Sequence, residues 1–483
     1  MLHGANQHFG LIPVSDVFLL CFRYILIAVA TGFFAHILFK DRKKAFVFSF
    51  FLLLIFFLFG AIKSSLAKFH FIASLTPYKY FLPLLFLVFI LIFTLLKRSA
   101  TNYTRIFHYL KILTLALVGF EVISLGVNAL LNSAPNEFGD VKHQLISGKK
   151  IETTDKPDIF WIVLDEYAAT STLKAKWGFA NPLDSLLSAT GYFVADKATS
   201  PYNFTHYSVG ATLDMDYYHR LDKRQSVSYA DMVRGDKSIY ENNVTAYLQR
   251  NGYAVHNYSL FNMKGNPTHP FNLFKSEPSR LISSTTFTSR VQEDILWQFP
   301  NLFSYNKKLE DSLDQRMRFQ DAADRQQFLI NLFNKVADSA AKDSRPGFYI
   351  FHYMITHEPF LFNEDGSLHD HPSYRQPDAY VSSVVYANQV LERITQRIRS
   401  RFSKRSHVVV VQSDHGFKFD EEGADFLRES NKIFYAVYAS DGDYAPWTND
   451  VNSVNTFRII FDKYFNAGFP LLPSHNFVLR YQQ

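Results

Sequence analysis

PDIFWIVLDEY, residues 157–167, carries the apolar run DIFWIVL, which ends at Leu164 and is followed at once by Asp165 and Glu166. A continuous apolar run this short, without polar alternation, is the pattern of a strand buried in a sheet covered on both faces. Working outward, similar runs recur at Tyr253–Val255, Phe348–Tyr353, HVVVVQS ending at Ser413, and IFYAVYA ending at Ala439. Amphipathic helical stretches stand between them, YENNVTAYLQRNG before the second and QDAADRQQFLINLFNKVADSA before the third. Strands alternating with helices imply an α/β sandwich, helices on both faces of a largely parallel central sheet. In such a fold, functional groups gather beyond the carboxyl ends of the strands.

Two of these strands end in unusual polar sequences. IVLDEY gives Asp165 and Glu166, and VVVVQSDHGF gives Asp414 and His415. Carboxylates and an imidazole at strand ends are the donor set of a hard or borderline divalent cation. Taken singly, each Asp has a blander reading, as the cap of a following turn. Between them lies SPYNFTHYSVGATLDMDYY, residues 200–218, where a polar and aromatic loop runs into a helix beginning near Thr205. A hydroxyl at a helix N-terminus meets free amides and the positive end of the dipole, so a phosphoryl group carried there is stabilised. Thr205 is the candidate nucleophile; its alternative is an ordinary N-cap threonine. A threonine hydroxyl is weak at neutral pH and needs metal coordination, which would place it in one site with Asp165, Asp414 and His415.

The first quarter of the 483-residue chain has a different chemistry. Four stretches, about 15–39, 45–65, 79–96 and 106–131, are long and apolar enough to cross some 30 Å of hydrocarbon. Residues 1–133 hold twelve Lys or Arg against Asp16, Asp41 and Glu121, a net of +9, which leaves about −3 of the whole-chain +6 for the remainder. The cations therefore belong to the membrane loops, and nothing in the rest points to nucleic acid. Connections one and three carry seven Lys or Arg between them, against three in connection two and none in the N-terminal tail. By the positive-inside bias, connections one and three are cytoplasmic, and an even number of spans puts the C-terminal domain outside. Arg23 and Glu121 fall within spans, either paired with each other or accommodated separately at the interface and a neighbouring helix. The sole cysteine, Cys21, lies in the first apolar stretch, which excludes disulfide, thiol-nucleophile and zinc-finger readings. MLHGANQHFG lacks the basic start of a signal peptide, so the first span is expected to be retained. Three divisions follow: transmembrane residues 1–133, a linker over 134–156, and a catalytic domain over 157–483.

The order PDIFWIVLDEY, a threonine opening a helix, FYIFHYMITHEPFLFNEDG, then VVVVQSDHG resembles the sulfatase and alkaline phosphatase superfamily over roughly residues 157–465. Four spans before an external domain further resemble its membrane-anchored branch, which contains lipoteichoic acid synthase and the phosphoethanolamine transferases, although those usually carry five. The resemblance implies an enzyme with one divalent metal ion (Mn, Zn or Mg), Asp165 as the first acidic ligand and Glu166 as a second ligand or a bystander. It further implies Asp414 and His415 as the late ligand pair and Thr205 as nucleophile and fourth ligand. His357 in THEPF matches the histidine that contacts the substrate phosphate or the leaving group; its alternative is a loop histidine packing on Phe360. Two departures narrow this. The stretch THYSVG lacks the Cys-x-Pro-x-Arg-like motif that sulfatases mature to formylglycine, so sulfate-ester hydrolysis is not expected, and the residue four after Asp378 is Ser382, not the His that a second metal needs. The expected activity is phosphoryl transfer on phosphodiester head groups of the phosphoglycerol or phosphoethanolamine type through a phospho-threonine. A membrane phospholipid would be the donor and an envelope glycan or lipid the acceptor. The expected location is the bacterial inner membrane, multi-pass, with the catalytic domain periplasmic or extracellular. The rivals are a hydrolase of the same fold and a catalytically silent lipid- or glycan-binding envelope protein. Aromatic stretches at 260–274 and 299–306 are candidates for a lipid-dipping surface or for core.

Overall fold

A computed structural model describes residues 6, 8–69, 73–131, 156–218, 221, 226–268, 277–294, 307–418 and 424–481. The 134–156 linker, apart from Lys156, lies outside them, as do the aromatic stretch 299–306 and the end of 260–274. The chain forms two compact units, Met1–Pro135 with Glu277–Lys307, and Asn136–Ser276 with Lys308–Gln483.

In the first unit, helices Val14–Phe39, Arg42–Ala67, Tyr78–Arg98 and Thr104–Leu131 are each long and apolar enough to cross a membrane. They coincide with the four apolar stretches read from the sequence. Phe18, Phe22, Phe33 and Leu115 face outward, as a lipid-facing surface requires, because hydrocarbon is a good solvent for them. Asp41 caps the second helix by accepting from the Lys43 and Lys44 amides at 2.8 and 3.2 Å. Lys44 Nζ donates to the Ser99 carbonyl at 2.7 Å and Lys43 Nζ to Thr104 Oγ1 at 2.6 Å. The first and third connections are thus tied together on one side. Glu121 accepts from the amide of Asn6.

The described residues 277–294, inside the stretch 157–483 read from the sequence as one domain, group with this unit. The Gly60 amide donates to the Thr285 carbonyl at 2.8 Å, Thr285 Oγ1 donates to the Phe57 carbonyl at 3.2 Å, and Phe287 meets Phe59 edge-on with ring centroids 5.0 Å apart. Ile282 joins a buried cluster with Ile12, Leu20 and Tyr24. A Cβ at Gly60 would lie 3.2 Å from Thr285 Cα and 3.1 Å from the Arg290 side chain, so a larger residue there would have to push these neighbours back by a few tenths of an ångström.

In the second unit, the strands are β1 (Asp158–Leu164), β2 (Phe193–Val194), β3 (Ser226–Val227), β4 (Ala254–Tyr258), β5 (Gly347–Tyr353), β6 (Phe360–Phe362), β7 (Leu368–Ser373), β8 (His407–Ser413), β9 (Tyr435–Ala439) and β10 (Arg480–Tyr481). Six form the central sheet in the order β2-β9-β8-β1-β5-β4. β8, β1, β5 and β4 run parallel, and β9 is antiparallel to both its neighbours. Alternate residues of β1 feed opposite cores. Phe160, Ile162 and Leu164 pack with Phe333, Tyr380 and Leu391 from helices Lys307–Ala340 and Pro377–Phe402. Ile159, Trp161 and Val163 pack with Leu213, Leu248 and Phe457 from three helices of the other face. Burial on both faces explains why these strands read as unbroken apolar runs.

Candidate active site

Register sets the site. Leu164 at the end of β1 pairs with Tyr353 at the end of β5 and Ser413 at the end of β8. Asp165 and Asp414 therefore leave two neighbouring parallel strands at the same level. The Asp165 amide donates to the Tyr353 carbonyl at 2.9 Å and the Asp414 amide to the Leu164 carbonyl at 3.2 Å, fixing both residues on the sheet edge. Glu166 takes a left-handed backbone (φ 57°) that turns the chain away. Tyr380 OH secures the turn, donating to the Glu166 carbonyl at 2.9 Å and accepting from the Ala168 amide at 2.8 Å.

The side chains of Asp165, His352 and Asp414 place one ligand atom each within 4.8 Å of one another, and all three residues are buried. His352 Nε2 lies 3.1 Å from Asp165 Oδ2, side by side without hydrogen-bond alignment. Both Asp165 oxygens, both His352 ring nitrogens and Asp414 Oδ2 are buried without a hydrogen-bond partner. That many orphaned polar atoms facing one another in a dry site would be costly unless something binds them together. Two ligands of a tetrahedral cation with bonds of about 2.0–2.1 Å stand roughly 3.3 Å apart, close to the 3.1 Å between His352 Nε2 and Asp165 Oδ2 and the 3.4 Å between His415 Nε2 and Asp414 Oδ2. The donor set therefore fits a divalent cation.

Thr205 opens the helix Thr205–Asp214, with Phe204 at the N-cap and no side chain capping the first turn. Ser208 Oγ donates to the Asp414 carbonyl and pins that turn to the end of β8. Thr205 Oγ1 is 3.3 Å from His415 Nε2. His415 Nε2 is in turn 3.4 Å from Asp414 Oδ2. His415 Nδ1 faces the Gly416 carbonyl at 2.8 Å, which assigns the proton to Nδ1 and leaves Nε2 a free lone pair. A Cβ at Gly416 would run into the carbonyl oxygens of Glu429 and Lys432, so the residue after His415 must be glycine. His357 follows β5, with Nδ1 2.6 Å from the Glu358 carbonyl and Nε2 3.9 Å from Asp165 Oδ1. The Glu166 carboxylate accepts from the Lys418 amide at 3.2 Å, and the Glu166 amide donates to Asp414 Oδ1 at 3.0 Å.

Charge is shared unevenly. Burial raises the pKa of Asp165, but the rings of His357, His352 and His415 outweigh it and hold the carboxyl low. Burial, reinforced by the Asp165 charge, pushes Asp414 up. Two buried carboxylates this close do not both ionise without a cation between them. Burial, aided by Lys418, holds His415 down to about 4, so its ring is neutral at pH 7, as a ligand must be. Burial also opposes protonation of His357, but Asp165 and Glu166 overcome it and raise that pKa.

A family model described as Sulfatase matches residues 157–439. The chain belongs to the sulfatase family. It is an enzyme of that family. None of the curated proteins matches it in sequence. Among solved structures, this sulfatase-family chain resembles the C-terminal periplasmic domain of EcEptC from Escherichia coli (12% identity, 66% of this chain and 85% of that one, TM-score 0.39). It also resembles the integral membrane lipooligosaccharide phosphoethanolamine transferase A from Neisseria meningitidis (13% identity, 79% and 68%, TM-score 0.37). A third is the C-terminal periplasmic domain of the phosphoethanolamine transferase EptC from Campylobacter jejuni (12% identity, 66% and 92%, TM-score 0.38).

Of the residues singled out by sequence, Thr205, Asp414 and His415 meet directly, while Asp165 and His357 approach from the β1 and β5 side. The Glu166 carboxylate is engaged by the loop after β8. His352 was missed. Inside FYIFHY it reads as a core histidine, and only pairing of β5 with β1, which sets His352 beside Val163, brings it to Asp165.

Proposed function

We propose that the chain transfers a phosphoryl head group from a membrane phospholipid to an envelope glycan or lipid, on the outer face of the bacterial inner membrane, through a phospho-threonine at Thr205. The observation that carries this reading is the buried convergence of unpartnered Asp165, His352 and Asp414 atoms beside the Thr205–His415 pair. Asp165, Asp414, His415 and Thr205 would hold one divalent cation, with His352 against Asp165. When bound, a Mn, Zn or Mg ion supplies Lewis acidity, lowering the hydroxyl pKa and offsetting charge on the phosphoryl oxygens.

The chain's own groups do the rest. Thr205 attacks phosphorus as the alkoxide and leaves as the alkoxide in the return step, so a bond from Oγ1 to phosphorus forms as the bond to the lipid alkoxide breaks. The first turn of its helix presents uncapped amides toward the phosphoryl group that Oγ1 then carries. His357, oriented by its Nδ1 contact to Glu358, directs Nε2 at the site, and its raised pKa suits it to give the leaving oxygen a proton. An acceptor hydroxyl then displaces phosphorus from Thr205 in the reverse sense, returning a proton to His357. The missing formylglycine motif supports phosphorus rather than sulfate ester as the substrate centre. The seven-to-three cation bias, with the Lys44–Ser99 and Lys43–Thr104 ties, supports the outward orientation. In purified full-length Thr205→Ala, phosphodiester turnover is expected to fall by 10³-fold or more, to the order of magnitude seen when catalytic nucleophiles are removed. Turnover at the parent rate would end the covalent scheme.

A further inference from the structure

Lys418 is absorbed by none of the roles above. Its backbone amide is fixed on Glu166 Oε1, and its ammonium lies over the ring of Phe204, 4.7 Å from the centroid. Phe204 is the N-cap residue immediately before Thr205, so the cation rests on the side chain next in sequence to the nucleophile. Among the described residues, this ammonium has no carboxylate partner in an ion pair. A cation–π contact holds a lysine without neutralising it, so its charge stays available to an incoming anion. The reach of that charge is visible at Glu166, His206, His357 and His415, all of whose protonation it disfavours.

Charge counting says why a site of this kind needs it. The carboxylates of Asp165 and Asp414 already match the two charges of a divalent cation, and Glu166 stands beside them. A phosphodiester, itself an anion, would otherwise enter a pocket with no net positive charge and carboxylates on its wall. An ammonium aimed at a non-bridging oxygen reverses that balance, and it acts where charge is maintained through the transition state.

We infer that Lys418 is a catalytic residue whose ammonium binds a non-bridging oxygen of the substrate phosphoryl group beside Thr205. The inference rests on the phosphoryl-transfer reading, but its test can fail separately. The full-length protein in detergent, loaded with metal, is assayed with bis(p-nitrophenyl) phosphate, and inorganic phosphate is titrated both as an inhibitor and by calorimetry. Lys418→Ala and Lys418→Gln are expected to lower kcat/KM about 10²–10³-fold, the scale for loss of one charge-stabilising donor. They should weaken phosphate binding at least tenfold at unchanged metal content and unchanged melting temperature. Lys418→Arg, which keeps the charge, should recover most of both. If the variants turn the diester over and bind phosphate like the parent while Thr205→Ala is dead, the Lys418 role is wrong and the covalent scheme stands. If the parent turns over neither this diester nor phosphatidylethanolamine or phosphatidylglycerol in vesicles yet binds phosphate in a Lys418-dependent way, the phosphoryl-transfer reading fails and the anion-binding role of Lys418 survives. Phosphate that does not bind the parent at all overturns the Lys418 role.

Discussion

Asp165 carries two buried oxygens with no hydrogen-bond partner, and His352 offers both ring nitrogens unpaired beside it. Satisfying such atoms is worth several kcal/mol, far more than a surface ion pair contributes. The site is therefore expected to depend on His352 as much as on the residues that a strand-end motif announces. Replacing His352 by Gln keeps much of the volume but removes the imidazole that stands 3.1 Å from the carboxylate of Asp165. Metal affinity should fall about 10–100-fold, with activity recovered at excess metal. A metal titration of the apo-protein reads this out, and parent-like affinity in His352→Gln would remove His352 from the site. Asp165, Asp414, His415 and Thr205 were legible because their type and position were both local: polar residues ending an apolar run, or a hydroxyl opening a helix. His352 was not, since its meaning comes from β5 lying next to β1, a pairing of residues almost 190 positions apart. Glu166 looked equivalent to Asp165 in sequence, yet its positive φ swings the chain so that its carboxylate meets the Lys418 amide.

At the scale of elements, the opposite ends of β1, β5 and β8 carry their own buried charge. Asp158, opening β1, accepts from the Gly347 amide at the start of β5 at 2.8 Å and pairs with Arg405 before β8 at 2.7 Å. Burial nevertheless pushes its pKa from 3.8 up to about 6, against the Gly347 and Arg405 interactions. A carboxyl whose folded pKa is raised works in the reverse of the usual sense. Between about pH 4 and 6 the native state binds more protons than the unfolded chain, so stability falls as pH rises through that window and levels off above it. Asp158→Asn removes this slope. Relative to the parent, the variant should gain stability as pH rises from about 4 to about 7, by up to roughly 3 kcal/mol. Melting temperatures of both proteins across that range test this; a parallel pair of curves would show that the Arg405 partnership fully compensates the burial. Element types were readable here because two-sided burial makes a strand uniformly apolar, whereas the two-residue strands β2, β3 and β10 are too short to leave a pattern.

At the scale of the whole molecule, membrane and catalytic parts separate by composition, and the four helices appear where the apolar stretches end in charge or proline. The grouping of the described residues 277–294 with the membrane helices was not legible. Its contacts are made by the Thr285 carbonyl and hydroxyl, a glycine approach, Ile282 and the ring of Phe287, scattered positions that share no sequence period. The central claim is that one chain holds a lipid-derived phosphoryl group on Thr205 during turnover. Full-length protein reconstituted in vesicles with phosphatidylethanolamine or phosphatidylglycerol, supplied with metal and quenched in acid within a turnover, can be digested and its Thr205 peptide weighed. The account predicts a head-group phosphoryl adduct on Thr205 that disappears when an acceptor hydroxyl is added and never forms in Thr205→Ala. An unmodified Thr205 peptide in protein that is turning over its lipid would contradict it.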